Sequence, residues 1–145
     1  MTAFVDSSAL VKRYADEAGA DVVRALAGVL VVSVVARLEV PAALWRKHRS
    51  GELSLEDASV LVEAFEWEWF GGAGTTGRFA VVPLVDTVLE TAAGLTGVHG
   101  LRAYDAMQLA STLLARSVDP GLAEVVCFDT ELAAAARLER FRVTP

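Results

Sequence analysis

The segment AFVDSSALVK, residues 3–12, changes character at Asp6. The apolar residues before it, from Met1 onward, predict a short buried strand. The residues after it predict a helix, which Ser7 or Ser8 can cap. A strand that runs directly into a helix is the unit from which parallel sheets are built. Asp6 therefore stands where a parallel sheet binds its ligands, just beyond the carboxyl end of a strand.

The same alternation continues along the chain. Apolar, β-branched runs predict further strands at residues 29–32, 79–83, 124–128 and 141–143. Helical patterns, cap residues and glycines predict helices at residues 9–17, 20–27, 34–48 (capped by Ser33), 53–70 (capped by Ser54), 86–94, 101–117 and 132–138, with a loop bounded by Gly97 and Gly100. We therefore expect an α/β fold of three layers, α/β/α, around a mostly parallel sheet of four to five strands. No linker divides the chain, so we expect residues 1–145 to form a single domain.

The net charge of the chain does not decide whether it binds nucleic acid. Its 145 residues carry a net charge of −6, which alone disfavours nucleic-acid binding because phosphate contacts need Lys and Arg. A site for divalent cations is itself acidic, however, so the net charge does not exclude a nuclease.

The single cysteine, Cys127, cannot form an internal disulfide. With no apolar run fit to span a membrane and no export signal, we expect a cytoplasmic protein with no membrane association.

Four carboxylates occupy related places in the predicted fold. Asp6 and Asp129 each follow a strand, Glu39 lies early in the helix after the second strand, and Asp105 lies near the start of its helix. Helix starts and strand ends share one edge of such a sheet, so the four can converge there. Clustered carboxylates suit Mg²⁺ or Mn²⁺, which activate water and stabilise displacement at a phosphodiester. Singly, each has a plainer use, because an Asp after a strand commonly caps a helix.

Other polar residues near these carboxylates allow two interpretations each. Ser7 either supports a metal ligand or caps its helix, and Arg102 either contacts phosphate, orients a carboxylate or is merely exposed. The basic run Arg46–Arg49 ends a helix, where cations complement the helix dipole, although contact with RNA is the alternative.

Four segments together resemble the PIN-domain toxins of the VapC group. They are FVDSSALVK (residues 4–12), SVVARLEVPAAL (33–44), LRAYDAMQLA (101–110) and CFDTEL (127–132). The resemblance implies a PIN-like fold and an endoribonuclease that uses Mg²⁺ or Mn²⁺, serves as the toxin of a type II toxin–antitoxin pair, is usually a homodimer and is silenced by a cognate antitoxin. It places the metal carboxylates on Asp6, Glu39 and Asp105, with Asp129 as the fourth. Members often carry Thr or Ser where this chain has Cys127, whose thiol is a weaker hydrogen-bond partner.

Two other functions are open on the sequence alone. A receiver domain or a haloacid-dehalogenase-type phosphatase also gathers acids at strand ends, but each needs a late lysine, and the lysines here are Lys12 and Lys47. A catalytically degenerate PIN domain that only binds a protein is the second alternative, and the intact set of four carboxylates disfavours it.

The helix at residues 53–70 carries more aromatic surface than one core stripe needs, so we expect part of it to face the antitoxin or another partner chain.

Overall fold

A computed structural model describes residues 2–145; Met1, the predicted first residue of the opening strand, lies outside the described residues. The strands are β1 (Ala3–Val5), β2 (Leu30–Ser33), β3 (Phe79–Val82), β4 (Glu124–Val126) and β5 (Arg142–Thr144). The helices are α1 (Ser7–Leu10), α2 (Ala20–Arg24), α3 (Ala36–Arg49), α4 (Leu55–Phe70), α5 (Asp86–His99), α6 (Ala103–Val118) and α7 (Thr130–Leu138), with a 3₁₀ turn at Val11–Arg13. None of these described helices is long and apolar enough to cross a membrane.

The five strands form one fully parallel sheet. Their order is β3-β2-β1-β4-β5, which puts β1 at the centre. All residues of β1 and β2 are buried, as parallel strands are when helices cover both faces of the sheet. The predicted α/β/α fold with a parallel sheet is confirmed.

Alternate residues of the strands pack against different helix layers. Val5 and Val32 belong to the apolar core shared with α1, α2, α3 and Phe65 of α4. Phe4 and Val125 belong to the core on the opposite face, with α5, α6 and α7. Neighbouring side chains on a strand point to opposite faces, so even a three-residue strand joins both cores.

The first helix differs from its prediction at both ends. Asp6, rather than Ser7 or Ser8, is the cap: its Oδ1 accepts a hydrogen bond from the Ala9 N–H at 2.9 Å. Only Asp6 therefore separates the end of β1 from the start of α1. The helix also stops at Leu10 instead of continuing to Glu17, passing into the 3₁₀ turn.

Other predicted boundaries are also wrong; α2, for example, ends at Arg24 and not at residue 27. Ser33 does not cap α3; it is the last residue of β2, and its Oγ accepts a hydrogen bond from Ser111 Oγ at 2.9 Å. Gly97 does not bound a loop, because α5 runs through it to His99 and ends at Gly100, which has a positive φ of 67°. The Ser54 cap of α4 is confirmed, since its side chain accepts from the Asp57 N–H.

Candidate active site

All four predicted carboxylates line one cleft of about 910 Å³ at the carboxyl edge of the sheet. Asp6 follows β1, and Asp129 follows β4 and caps α7. Glu39 and Asp105 lie in the first turns of α3 and α6. Four elements that are distant in sequence thus deliver one acidic group each to the same opening, because the parallel sheet brings strand ends and helix starts to one edge.

Asp6 forms the floor of this cleft. The side chain is only 3% exposed, and burial raises its pKa to about 6. Hydrogen bonds from Ser8, Ala9 and Cys127 oppose this rise, since they stabilise the charged carboxylate. At neutral pH the structure thus holds a buried negative charge whose neighbours compensate it only in part.

The hydroxyl of Ser8 does more than contact Asp6. It lies within hydrogen-bond distance of both carboxylate oxygens and also accepts from the Phe128 N–H at 3.0 Å. The junction after β1 is therefore tied to the junction after β4. The Cys127 thiol adds a weaker bond to Asp6 Oδ2 at 3.4 Å, and burial, followed by the nearby Asp6 charge, raises the pKa of this thiol. Asp6 thus receives a hydroxyl hydrogen bond from Ser8, whereas Cys127, in the segment CFDTEL, offers it only a thiol.

Glu39 is held at one of its two oxygens. Its Oε1 accepts hydrogen bonds from Ser7 Oγ at 3.0 Å and from Gln108 Nε2 at 2.8 Å. Ser7 therefore contacts a candidate ligand, one of its two predicted uses. Gln108 is not among the residues predicted for the site. The available signal was its position three residues after Asp105, where a helix brings side chains onto one face.

The pKa of Asp105 depends on its burial and on the charged side chains around it. Burial, then the Asp129 carboxylate, raises its pKa, and Glu39 raises it further. The Arg102 guanidinium opposes these effects by favouring the charged form. Arg102 is itself exposed at the cap of α6 and lines the cleft. The carboxylates are thus close enough to repel one another.

The donor set fits a hard divalent cation by its chemistry. The four carboxylates offer only oxygen ligands, which Mg²⁺ and Mn²⁺ prefer, and a cation would offset the repulsion that raises the Asp105 pKa. As the side chains stand, however, no three Asp, Glu, His or Cys groups within residues 2–145 are close enough together to hold an ion. Four elements thus bring carboxylate oxygens to the cleft, but these oxygens do not form a complete set of ligands around one point.

The rim of the cleft is basic, but its charges are not equally available. Lys12 and Lys47 both form ion pairs with Glu17. Arg46 and Arg102 also line the cleft, and neither forms an ion pair with any residue that the structure describes. Two arginines therefore face the opening with their charges uncompensated by a direct partner.

The helix with excess aromatic residues exposes part of that surface. Phe65 of α4 is fully buried, whereas Trp67 and Phe70 are 67% and 65% exposed. The guanidinium of Arg37 lies 5.2 Å from the centre of the Phe70 ring. Two large aromatic side chains of α4 are thus available to another chain.

Comparisons with known proteins agree with this architecture. A model of the PIN domain family matches residues 3–138. The chain is 34% identical to Ribonuclease VapC45 and to Ribonuclease VapC49 of Mycobacterium tuberculosis, covering 98% of this chain and 94% of each relative.

Solved structures share the fold. FitAcB from Neisseria gonorrhoeae superposes with a TM-score of 0.63 at 18% identity, over 99% of this chain and 96% of that one. A toxin–antitoxin complex from Klebsiella pneumoniae superposes with a TM-score of 0.57 at 18% identity, over 88% of this chain and 87% of that one. The sequence match and the shared fold lead to one assignment: the chain belongs to the PIN-domain family, in the group of the VapC ribonucleases.

Proposed function

We propose that this chain is a metal-dependent endoribonuclease and the toxin of a type II toxin–antitoxin pair, acting in the cytoplasm as a single PIN domain over residues 1–145. The observation that carries the proposal is the convergence of four carboxylates, from four separate elements, on one cleft. A protein-binding module would not need a buried acid with a raised pKa at the floor of that cleft. The degenerate alternative therefore has no observation in its favour.

Asp6, Glu39, Asp105 and Asp129 are the proposed ligands of Mg²⁺ or Mn²⁺. A bound divalent ion supplies Lewis-acid chemistry, activating water and stabilising the charge that develops on the phosphodiester oxygens. The chain itself fixes the ligands: Ser8 and Ala9 hold Asp6, Ser7 holds Glu39, and the α7 cap holds Asp129 through the Leu132 N–H at 2.8 Å.

RNA is the proposed substrate. Arg46 and Arg102, which make no ion pair with a described residue, are suited to bind phosphates on either side of the cleavage point. The relatives' names, which describe ribonucleases, support this substrate class.

The proposed protein partners are a cognate antitoxin and a second copy of the chain. The Klebsiella structure, a toxin–antitoxin complex with a similar fold, supports the first. The exposed Trp67 and Phe70 supply apolar surface for one of them, and an arginine from an antitoxin can form bidentate bonds with the acidic cleft.

The direct test uses the purified chain and a fluorescently labelled single-stranded RNA. We expect cleavage with Mg²⁺ or Mn²⁺, none after EDTA treatment, and recovery when metal is restored. Asp105→Asn should remove most of the cleavage while the far-UV spectrum stays that of a folded protein. The matched control is Asp119→Asn, which changes an acidic residue at the opposite end of α6. Full cleavage by the metal-free chain, or by Asp105→Asn, would show that the proposed mechanism is wrong.

A further inference from the structure

Gln108 joins two helices that carry candidate ligands. It is a residue of α6, as is Asp105, and it reaches Glu39 of α3. Its Nε2 lies 2.8 Å from Glu39 Oε1 and 2.7 Å from Ser7 Oγ, while Ser7 Oγ lies 3.0 Å from the same Glu39 oxygen. The amide nitrogen of Gln108 therefore contacts both other members of a triangle of three polar groups.

The other end of the Gln108 amide is unsatisfied. Gln108 is only 2% exposed, and its Oε1 has no hydrogen-bond partner among the described residues. A buried carbonyl oxygen without a donor is unfavourable for folding, because it has lost its water without replacement. An apolar residue of similar size would avoid that cost. Stability of the fold therefore does not explain why an amide occupies this position.

The two oxygens of Glu39 are treated differently. Oε1 accepts from both Ser7 and Gln108, whereas Oε2 accepts no hydrogen bond from any residue between 2 and 145. A carboxylate held at one oxygen keeps the other for a different partner. In metal sites, such neighbouring hydrogen bonds orient a ligand and strengthen binding.

We propose that Gln108 is a positioning residue, whose amide fixes Glu39 through Oε1 and leaves Oε2 for a divalent cation. The inference rests on the proposed function, because it concerns the metal named there. Gln108 does not touch the ion or the RNA; it acts through Glu39. The structure also explains the unsatisfied Oε1: the amide turns its nitrogen toward Ser7 and Glu39, so its oxygen points away from them.

The test is the affinity of the purified, metal-free chain for Mn²⁺, measured by calorimetry and by the spin-resonance signal of free Mn²⁺. Gln108→Met removes the amide at similar volume. We expect Mn²⁺ affinity to fall about 10-fold or more, the usual loss when a residue that orients a ligand is changed. The unfolding temperature should stay at or above that of the parent, because the unsatisfied carbonyl is removed with the donor. Ser111→Ala is the matched control: it removes another buried hydrogen bond of α6, to Ser33, and should leave Mn²⁺ affinity unchanged.

A double-variant cycle separates positioning from a general structural role. In Glu39→Gln, whose Mn²⁺ affinity should already be low, adding Gln108→Met should cause no further loss. Equal losses in both backgrounds, or a folded Gln108→Met that binds Mn²⁺ like the parent, would overturn the inference while leaving the proposed function intact. A parent chain that binds no Mn²⁺ at all would overturn both.

Discussion

The hydroxyl of Ser8 lies 2.7 Å from Oδ1 and 2.8 Å from Oδ2 of Asp6. The same oxygen accepts the Phe128 N–H, so one small side chain supports a buried charge and also fastens the segment after β4. Hydrogen bonds to charged groups are stronger than those between neutral groups. Ser8 therefore stabilises Asp6 and the segment after β4 more strongly than the Cys127 thiol does.

We expect Ser8→Ala to lower the free energy of unfolding by about 1.5–3 kcal/mol, the range for losing a hydrogen bond to a charged group. Cys127→Ala should cost less, because a thiol donor at 3.4 Å is weaker. Urea denaturation at pH 7 measures both. In the Ser8→Ala background, Cys127→Ser should restore part of the loss by returning a hydroxyl near Asp6. A larger loss from Cys127→Ala than from Ser8→Ala would contradict this ranking.

Asp6→Asn should stabilise the metal-free protein while removing RNA cleavage. The folded pKa of Asp6, about 6, lies above its ordinary value of 3.8, so the folded state holds this proton more tightly than the unfolded chain does. The favourable effect of protonated Asp6 is therefore fully present below pH 3.8 and is lost as the pH rises through 6. Replacing the acid should yield up to about 3 kcal/mol at pH 8 and progressively less below pH 6.

The measurement for Asp6→Asn is chemical denaturation of the variant and the parent at several pH values in EDTA. A stability difference that does not change between pH 4 and pH 8 would contradict a raised pKa for Asp6. Cleavage assays of the same two proteins with Mg²⁺ or Mn²⁺ restored check the expected loss of RNA cleavage, since a neutral amide cannot supply the charge proposed for metal binding.

Arg46→Ala and Arg102→Ala should each weaken RNA binding and reduce its dependence on salt. For single-stranded RNA, the loss of one phosphate contact lowers the slope of log affinity against log salt by about 0.7. Fluorescence anisotropy in EDTA measures binding without cleavage. The control is Arg142→Ala, whose side chain pairs with Glu124 at the amino end of β4. If Arg142→Ala reduced the slope as much as either cleft variant, binding would follow net charge and not the cleft.

Trp67→Ala and Phe70→Ala should weaken binding of the cognate antitoxin or of a second copy of the chain, while leaving Mn²⁺ affinity unchanged. Both side chains are exposed in the described structure, and large aromatic residues commonly dominate the energy of an interface. Calorimetry with the antitoxin and light scattering of the free chain distinguish the two partners. Unchanged binding in both measurements would mean that the partners use another surface.

The sequence predicts the layers of this fold well because its signals are local and repeated. Each strand except β1 is preceded by helical or turn segments, and every predicted strand is present, although β4 ends at Val126, two residues early. The carboxylates were predictable as a group, since a parallel sheet sends strand ends and helix starts to one edge. Boundaries were less predictable: three good cap residues stand in a row at Asp6-Ser7-Ser8, and only tertiary position selects the first.

Helix interiors and long-range contacts account for the remaining errors. Gly97 costs α5 only about 1 kcal/mol relative to alanine, and the packing of Val88, Ala92 and Leu95 outweighs that cost. The role of Gln108 depends on Ser7 and Glu39, which are 101 and 69 residues away. No local pattern encodes a contact between residues so far apart in the chain.

The central position of β1 has a consequence for the timing of activity during synthesis. β1 leaves the ribosome before its neighbour β4, and Phe128 follows its contact Ser8 by 120 residues. Until then Asp6 lacks one flanking strand, and Asp129 does not yet exist. Non-local pairing of this kind forms late because a long loop must first close. A chain that has been translated only as far as residue 128 therefore has no complete cleft, because Asp129 and the pairing of β1 with β4 are both missing from it.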